Sequence, residues 1–445
     1  MGQMRRQRQA KCSHEIGATN DLAEHSRHRP IDRTWDCYEP FNSRGSNCQR
    51  MSDSPVTAVI LAAGEGRRLE PLTNRRPKPM VPVANQPVLE HVIEAVATAG
   101  IDRIVLVVGY RQERIRNHFH DGGEWGVAIE YVEQSTQLGT GHAVLQAEPV
   151  VDSPFLVLNG DRIIEPSVID TVRDRLEADD APVMTVTSAD RPREYGVVTL
   201  DSDRVTAIDE KPEGPVTTNR INAGVYGFST AVFDAIRETD TAGELAITAT
   251  LNDLVAVDDG VRAVSYTGQW LDVSHLWDIL SVNAALVHRQ DVTTTSAVNG
   301  DVDSTSATVA ADVTLADDVR LGPTVTIGGA TAIGSNVTVG ANAVVENSVV
   351  FPDAVISPGA VVRDAIVASN AQIGPNVTVV GGPATVVVED TVHRNVEFGG
   401  VIGDNATIGG GATLTDGAIV GDGARAAGGI VVDGRIESGA VVRRG

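Results

Sequence analysis

Val56-Thr-Ala-Val-Ile-Leu61-Ala-Ala-Gly64-Glu-Gly66-Arg67-Arg68-Leu69-Glu-Pro71-Leu-Thr73 carries the reading of the fold. Its first six residues form a nearly continuous apolar run, the pattern of a strand buried on both faces. A glycine-rich turn follows at once. Downstream, Pro87–Ala99 has helical spacing and Arg103–Val108 is a second apolar run. Further strands are expected at 128–132, 155–158, 183–187 and 223–228, with helical stretches between several of them. This alternation predicts an α/β fold with a mostly parallel sheet covered on both faces.

Outside this region the chain changes character twice. Residues 1–52 lack hydrophobic periodicity and are expected to be a disordered extension, or translated sequence upstream of a start at Met51. All three cysteines (Cys12, Cys37, Cys48) lie there, which excludes disulfides from the rest of the chain. Near residue 300 the texture becomes rich in Val, Ile, Gly, Asn and Asp. Leu321-Gly322, Ile327-Gly328, Ile333-Gly334 and Val339-Gly340 repeat every six residues, and the period returns at Ile373-Gly374, Ile402-Gly403, Ile408-Gly409 and Val420-Gly421. Such hexads resemble a left-handed parallel β-helix, with the aliphatic residue pointing into a prism and the small residues allowing the corners. The expected domains are therefore 53–290 and 300–445.

The 445 residues carry a formal net charge of −23, and 42% are hydrophobic. An acidic surface suits a protein kept soluble in high salt, as in a halophilic archaeon, and argues against nucleic acid as a partner. No apolar stretch is long enough to span a bilayer. With no membrane span and no secretory h-region, the expected location is the cytoplasm. Lysine is nearly absent. Only Lys11, Lys78 and Lys211 occur, and the last two fall inside motifs.

Glycines at 64 and 66 let backbone N–H groups approach phosphates closely. Arg68 and Lys78, in Pro77-Lys78-Pro79-Met80, add a guanidinium fork and a point charge suited to a triphosphate. The amide of Gln134, five residues before Gly139-Thr140, can read the polar edge of a base. Asp161 closes the apolar run Phe155-Leu-Val-Leu-Asn159-Gly160, where a hard oxygen donor suits Mg²⁺.

In combination, the run from Gly64 to Met80 and these later motifs resemble the sugar-1-phosphate nucleotidyltransferase family over roughly residues 56–283. The resemblance implies a Rossmann-like nucleotidyltransferase domain. It implies that Arg68, Lys78 and Lys211 act on the phosphates, and that Leu61, Ala63, Gly64, Gly66, Gln134, Gly139 and Thr140 hold the nucleotide. It implies sugar contacts at Gly196, Glu210 and Asn222. It implies Mg²⁺ ligands at Asp161 and at Asp272 of Trp270-Leu271-Asp272. Arg67 departs from the family pattern, in which a small hydroxyl residue is common there. His142 reads as a structural residue at a helix start.

The implied reaction joins UTP or dTTP to a hexose 1-phosphate of the glucose or N-acetylglucosamine type and releases pyrophosphate. One alternative is a bifunctional enzyme that also acetylates glucosamine 1-phosphate in the β-helix. His393 is the one histidine of that region and hence its candidate base. The other is a non-catalytic regulatory subunit. The β-helix is expected to act as an assembly module, making a trimer or a multiple of it, and the preceding region to work without it.

Overall fold

The computed structural model describes residues 56–179, 181–241, 243–256, 260–289, 306–389 and 391–444. The expected extension at 1–52 lies outside them. The first apolar run forms the strand Thr57–Ala62, with five of its six residues buried. It lies between Arg103–Val108 and Phe155–Asn159 and is parallel to both. Ala128–Glu133 extends this parallel part at the edge. Side chains alternate between two cores, Ala58 and Ile60 on one face and Val59 on the other. Helices α1 (Val88–Thr98), α2 (Gln112–Phe119) and α4 (Pro166–Ala178) cover the first face. Helices α3 (Thr140–Leu145), α5 (Val232–Glu238) and α6 (Ile247–Val255) cover the second. Burial on both faces explains why these strands read as continuous apolar runs.

The rest of the nine-stranded sheet is mixed. Arg220–Phe228 runs antiparallel to Phe155–Asn159 and to Val183–Ser188. Gly196–Asp201 and Arg204–Glu210 form an antiparallel pair joined by a two-residue turn, in which Ser202 takes φ 58°. A connection that short can only reverse the chain. The parallel strands end along one edge, so the loops after Ala62, Val108, Glu133 and Asn159 gather there. Helix α7 (Leu276–Arg289) closes this half. Among the described residues no helix is long and apolar enough to cross a membrane.

The hexads build a left-handed β-helix of three parallel sheets, with seven strands in each among the described residues. Leu321, Ile327, Ile333 and Val339 line its interior column. The corners differ from expectation. Left-handed backbone falls on Asp318 and then two residues after each hexad glycine, on Thr324, Ala330, Asn336 and Asn342, and not on the hexad glycines themselves. Those glycines serve the stacking of coils. A Cβ on Gly322, Gly334 or Gly340 would lie 2.7, 2.7 or 2.5 Å from the backbone nitrogen of Ala341, Pro352 or Pro358. Asn and Asp tolerate the left-handed region well enough to take the corners.

One prism face is buried against the α/β half. Ala332, Val349, Ile366, Val401 and Ile419 point outward from it and share a core with Val81, Val83, Leu276 and Trp277. Polar groups lock the same seam. Arg76 donates from Nη2 to both carboxylate oxygens of Asp404, at 2.6 and 2.7 Å, and both side chains are almost fully buried. Asn74 donates to Asp422 at 3.0 Å, and Asn283 to the Ala330 carbonyl at 2.6 Å.

An antiparallel hairpin, Pro383–Val388 with Thr391–Glu397, interrupts the coils and joins this core through Ala384, Val386 and Val396. Its His393 ring packs 4.7 Å from His275 and 4.9 Å from Trp277. Burial, together with neighbouring His275, holds this imidazole below its ordinary pKa. His393 therefore belongs to the seam between the halves.

The shared core weighs against the expectation that the preceding region works without the β-helix. A chain cut after Arg289 would expose Val81, Val83, Leu276 and Trp277 to water. We expect it to aggregate or to bind hydrophobic dye, as light scattering and dye fluorescence would show; a soluble, cooperatively melting fragment would contradict the seam. Asp404→Ala leaves the buried Arg76 guanidinium without its partner. It should lose about 3–5 kcal/mol of unfolding free energy, and Arg76→Met with Asp404→Leu should recover most of it. Denaturant titration of the three proteins checks this.

Candidate active site

A cleft of about 480 Å³ opens at the carboxyl edge of the parallel strands, a size usual for a small-molecule site. Leu61, Ala63 and Gly64 form one wall, with Gln134, Gly139 and Thr140 beside them. Lys78 and Asp161 lie on its surface, and Gly196, Glu210, Lys211 and Asn222 line its other part. Gly66 and Arg68 line a recess of similar volume, which shares Lys78, Gln137 and Glu244 with the cleft. Asp272 lines neither, and its side chain is 3% exposed.

The glycine-rich loop is shaped by Gly66, which takes φ 75°. A Cβ there would lie 2.6 Å from that of Lys78. The glycine thus permits Lys78 to pack against the loop, and Thr73 Oγ1 fixes the turn by donating to the Gly66 carbonyl at 2.8 Å. Lys78 Nζ donates to Asp161 Oδ2 at 2.5 Å. Burial alone would raise the Asp161 carboxyl, but the Lys78 and Arg162 charges outweigh it and hold the pKa below the usual carboxylate range. Asp161 therefore stays ionised at neutral pH.

Gly139 also needs its lack of a side chain. Its φ is 107°, and a Cβ would lie 2.5 Å from the Leu245 carbonyl oxygen. Thr140 Oγ1 accepts from Ile247 N at 2.9 Å, so this loop is tied to the start of α6. Gln134 is buried. Its Nε2 donates to the Gly139 carbonyl at 3.1 Å and lies 3.0 Å from His142 Nδ1. Its amide donor is thereby spent on the protein, while Oε1 accepts no hydrogen bond from the described residues. His142 orients Gln134 from α3.

In the other part, Gly196 makes room for Glu210, since a Cβ would lie 2.7 Å from Glu210 Oε2. Lys211, at φ 47°, holds its backbone N–H on the Tyr195 carbonyl at 3.1 Å and leaves its ammonium exposed. Asn222 is committed internally. Its Nδ2 donates to Tyr226 Oη at 2.7 Å, and its Oδ1 accepts from Gly224 N at 3.0 Å. Burial pushes the Tyr226 hydroxyl up to about 12, so it remains a neutral partner.

Two residues escaped the sequence reading. Arg162 follows Asp161 directly and lines the cleft. It pairs across a two-stranded ladder with Asp272, whose Oδ1 lies 3.6 Å from Arg162 Nε. Only its position after the strand-ending aspartate could have flagged it. Glu389, at the hairpin tip, approaches Arg68 Nε at 3.8 Å and enters the recess. The gap in hexad register between Gly374 and Ile402 was its one signal.

The nucleotidyl transferase family profile matches residues 57–289, just over half of the chain. A profile described as the GMPPB C-terminal domain matches 309–398. The bifunctional protein GlmU of Methanococcus maripaludis is 37% identical over 254 residues, 56% of this chain and 58% of that protein. The low-salt glycan biosynthesis nucleotidyltransferase Agl11 of Haloferax volcanii is 35% identical over 253 residues, covering 55% of this chain and 70% of Agl11. Glucose-1-phosphate thymidylyltransferase of Streptomyces antibioticus is 36% identical over 237 residues, 52% of this chain and 66% of that enzyme. The chain thus spans little more than half the length of the GlmU relative. With the profile matching residues 57–289, and with Agl11 aligned over more than two thirds of its length, this chain belongs to the nucleotidyl transferase family.

Proposed function

We propose that this chain transfers a nucleotidyl group from UTP or dTTP to a hexose 1-phosphate of the glucose or N-acetylglucosamine type. The observation that carries the reading is the gathering of Gly64, Gln134, Asp161 and Lys211 around one cleft from four separate segments. The named activities of the thymidylyltransferase and of the nucleotidyltransferase Agl11 support it.

In the proposed reaction, a phosphate oxygen of the sugar 1-phosphate attacks the α-phosphorus. A new P–O bond forms there, the bond to the bridging oxygen of the β-phosphate breaks, and pyrophosphate leaves with the electron pair. The nucleophile is already an anion, so no general base is required. What the protein must supply is alignment and positive charge. Lys78 and Arg68 face the triphosphate from the glycine-rich loop, and Lys211 faces the sugar phosphate from the rim.

Asp161 and Asp272 would hold Mg²⁺. The donor set fits a hard divalent ion: Asp161 fronts the cleft, and Asp272 Oδ1 accepts no hydrogen bond from the described residues while Oδ2 is oriented by Ser274 at 2.6 Å. When bound, the ion supplies charge that stabilises the phosphate oxygens. Gln134 Oε1, left as a free acceptor, suits the N3–H of uracil or thymine and not the N3 acceptor of cytosine.

A regulatory, non-catalytic role is disfavoured because Arg68, Lys78, Asp161 and Lys211 all reach the cleft or its recess. Acetyl transfer is disfavoured because His393 is spent in the seam. Homo-oligomerisation would use the two prism faces that the catalytic half leaves open, where Val355 and Val431 are exposed.

A pyrophosphate-release screen in molar KCl, with five nucleotides and several sugar 1-phosphates, tests the substrate class. UTP or dTTP should exceed ATP and GTP in kcat/KM by at least about tenfold; a purine preference would refute the base assignment. Asp161→Asn should lower turnover at least about a hundredfold without changing the melting temperature greatly. Turnover near wild type would remove Asp161 from the metal site.

A further inference from the structure

Arg162 stands apart from every cation the motifs identify. Its guanidinium lies 5.2 Å from the Trp270 ring centroid and 5.8 Å from that of Tyr195. Nη1 donates to the Asn222 carbonyl at 3.1 Å. Nε is buried without a hydrogen bond, facing Asp272 Oδ1 at 3.6 Å. Nη2 donates to none of the described residues. The aromatic faces and the Asn222 carbonyl fix the plane of the group, so its free donors have a set direction. Of these neighbours Asn222 lines the cleft and Tyr195 adjoins its Gly196, while Trp270 and Asp272 line no part of it; none belongs to the glycine-rich loop. On its other side lies Asp161, close enough to feel the Arg162 charge. The side chain is thus a fixed, half-buried cation at the junction between the sugar pocket and the carboxylate.

We propose that Arg162 anchors the phosphate of the acceptor sugar 1-phosphate. The inference rests on the nucleotidyl transfer reading and adds a residue to it. That phosphate must touch both the sugar pocket and the α-phosphorus, and the junction occupied by Arg162 is where the two meet. A guanidinium can grip two phosphate oxygens while leaving the third free to attack. Lys211 adds charge from the exposed rim but has no fixed orientation. Arg162 is therefore the group that aims the nucleophile. Gly224 is part of the same arrangement, since a Cβ there would lie 3.1 Å from Nη1 and crowd it.

The test uses the full chain with Arg162→Lys and Arg162→Gln. Initial rates are measured with UTP or dTTP and with glucose 1-phosphate and N-acetylglucosamine 1-phosphate. Calorimetry measures the binding of each sugar phosphate to protein saturated with an α,β-methylene triphosphate. Both variants should raise the KM and the calorimetric Kd for sugar phosphate at least about tenfold, and leave the KM for the triphosphate within about threefold. Lysine keeps a charge beside Asp272, so this variant should melt near wild type and remain informative if the glutamine variant does not fold. Unchanged sugar phosphate KM and Kd in the lysine variant would reduce Arg162 to a counter-ion of Asp272 and overturn the proposal. Wild-type protein that neither turns over nor binds any sugar 1-phosphate would instead overturn the nucleotidyl transfer reading, and this inference with it.

Discussion

The buried pairing of Arg76 with Asp404 ties the molecule together. Arg76 stands two residues before Lys78, on the loop that supplies charge to the cleft, and Asp404 is on a coil of the β-helix. Asp404 also accepts from Ser369 N at 3.0 Å, and its own N–H donates to Asp422, which in turn receives Asn74. A buried ion pair stabilises little by itself, because desolvation offsets the attraction. Its effect here is to fix a register: only one placement of the loop on the prism satisfies every buried polar group. The surrounding apolar seam supplies the driving force, and the polar chain supplies its direction.

The active site follows from the same logic of balanced charge. Three cations, Lys78, Arg162 and Lys211, line the cleft with three carboxylates, Asp161, Glu210 and Glu244, and Arg162 also pairs with Asp272 behind it. The cleft is therefore close to neutral, although the chain as a whole is strongly acidic. Two of its three lysines are placed at this site, with Arg68 and Arg162 supplying the planar donors. The β-helix also takes part, through the hairpin that brings Glu389 to Arg68.

Much of the site was legible in the chain. Gly64, Gln134, Gly139, Asp161, Glu210 and Lys211 all reach one cleft, because each motif sits just after a strand whose end the topology fixes. The finer assignments were less so. Asn222 reads as a sugar contact, yet both ends of its amide are held by Tyr226 and Gly224. Arg162 was invisible because nothing local distinguishes it; its importance comes from Asp272, Trp270 and Asn222, all distant in sequence.

Local periodicity was enough to yield the two architectures. Apolar runs of strand length require burial on both faces, and aliphatics in phase every six residues require a stacked prism. Both patterns are confined to short windows, where a side chain's direction follows from its backbone geometry. The docking of the two halves, the hairpin that reaches the recess and the orientation of Arg162 were decided only by the tertiary structure. Arg76 and Asp404 are 328 residues apart, and no spacing rule links them. They meet because an apolar prism face and an apolar loop surface have to leave water together, and the buried charges then permit a single alignment.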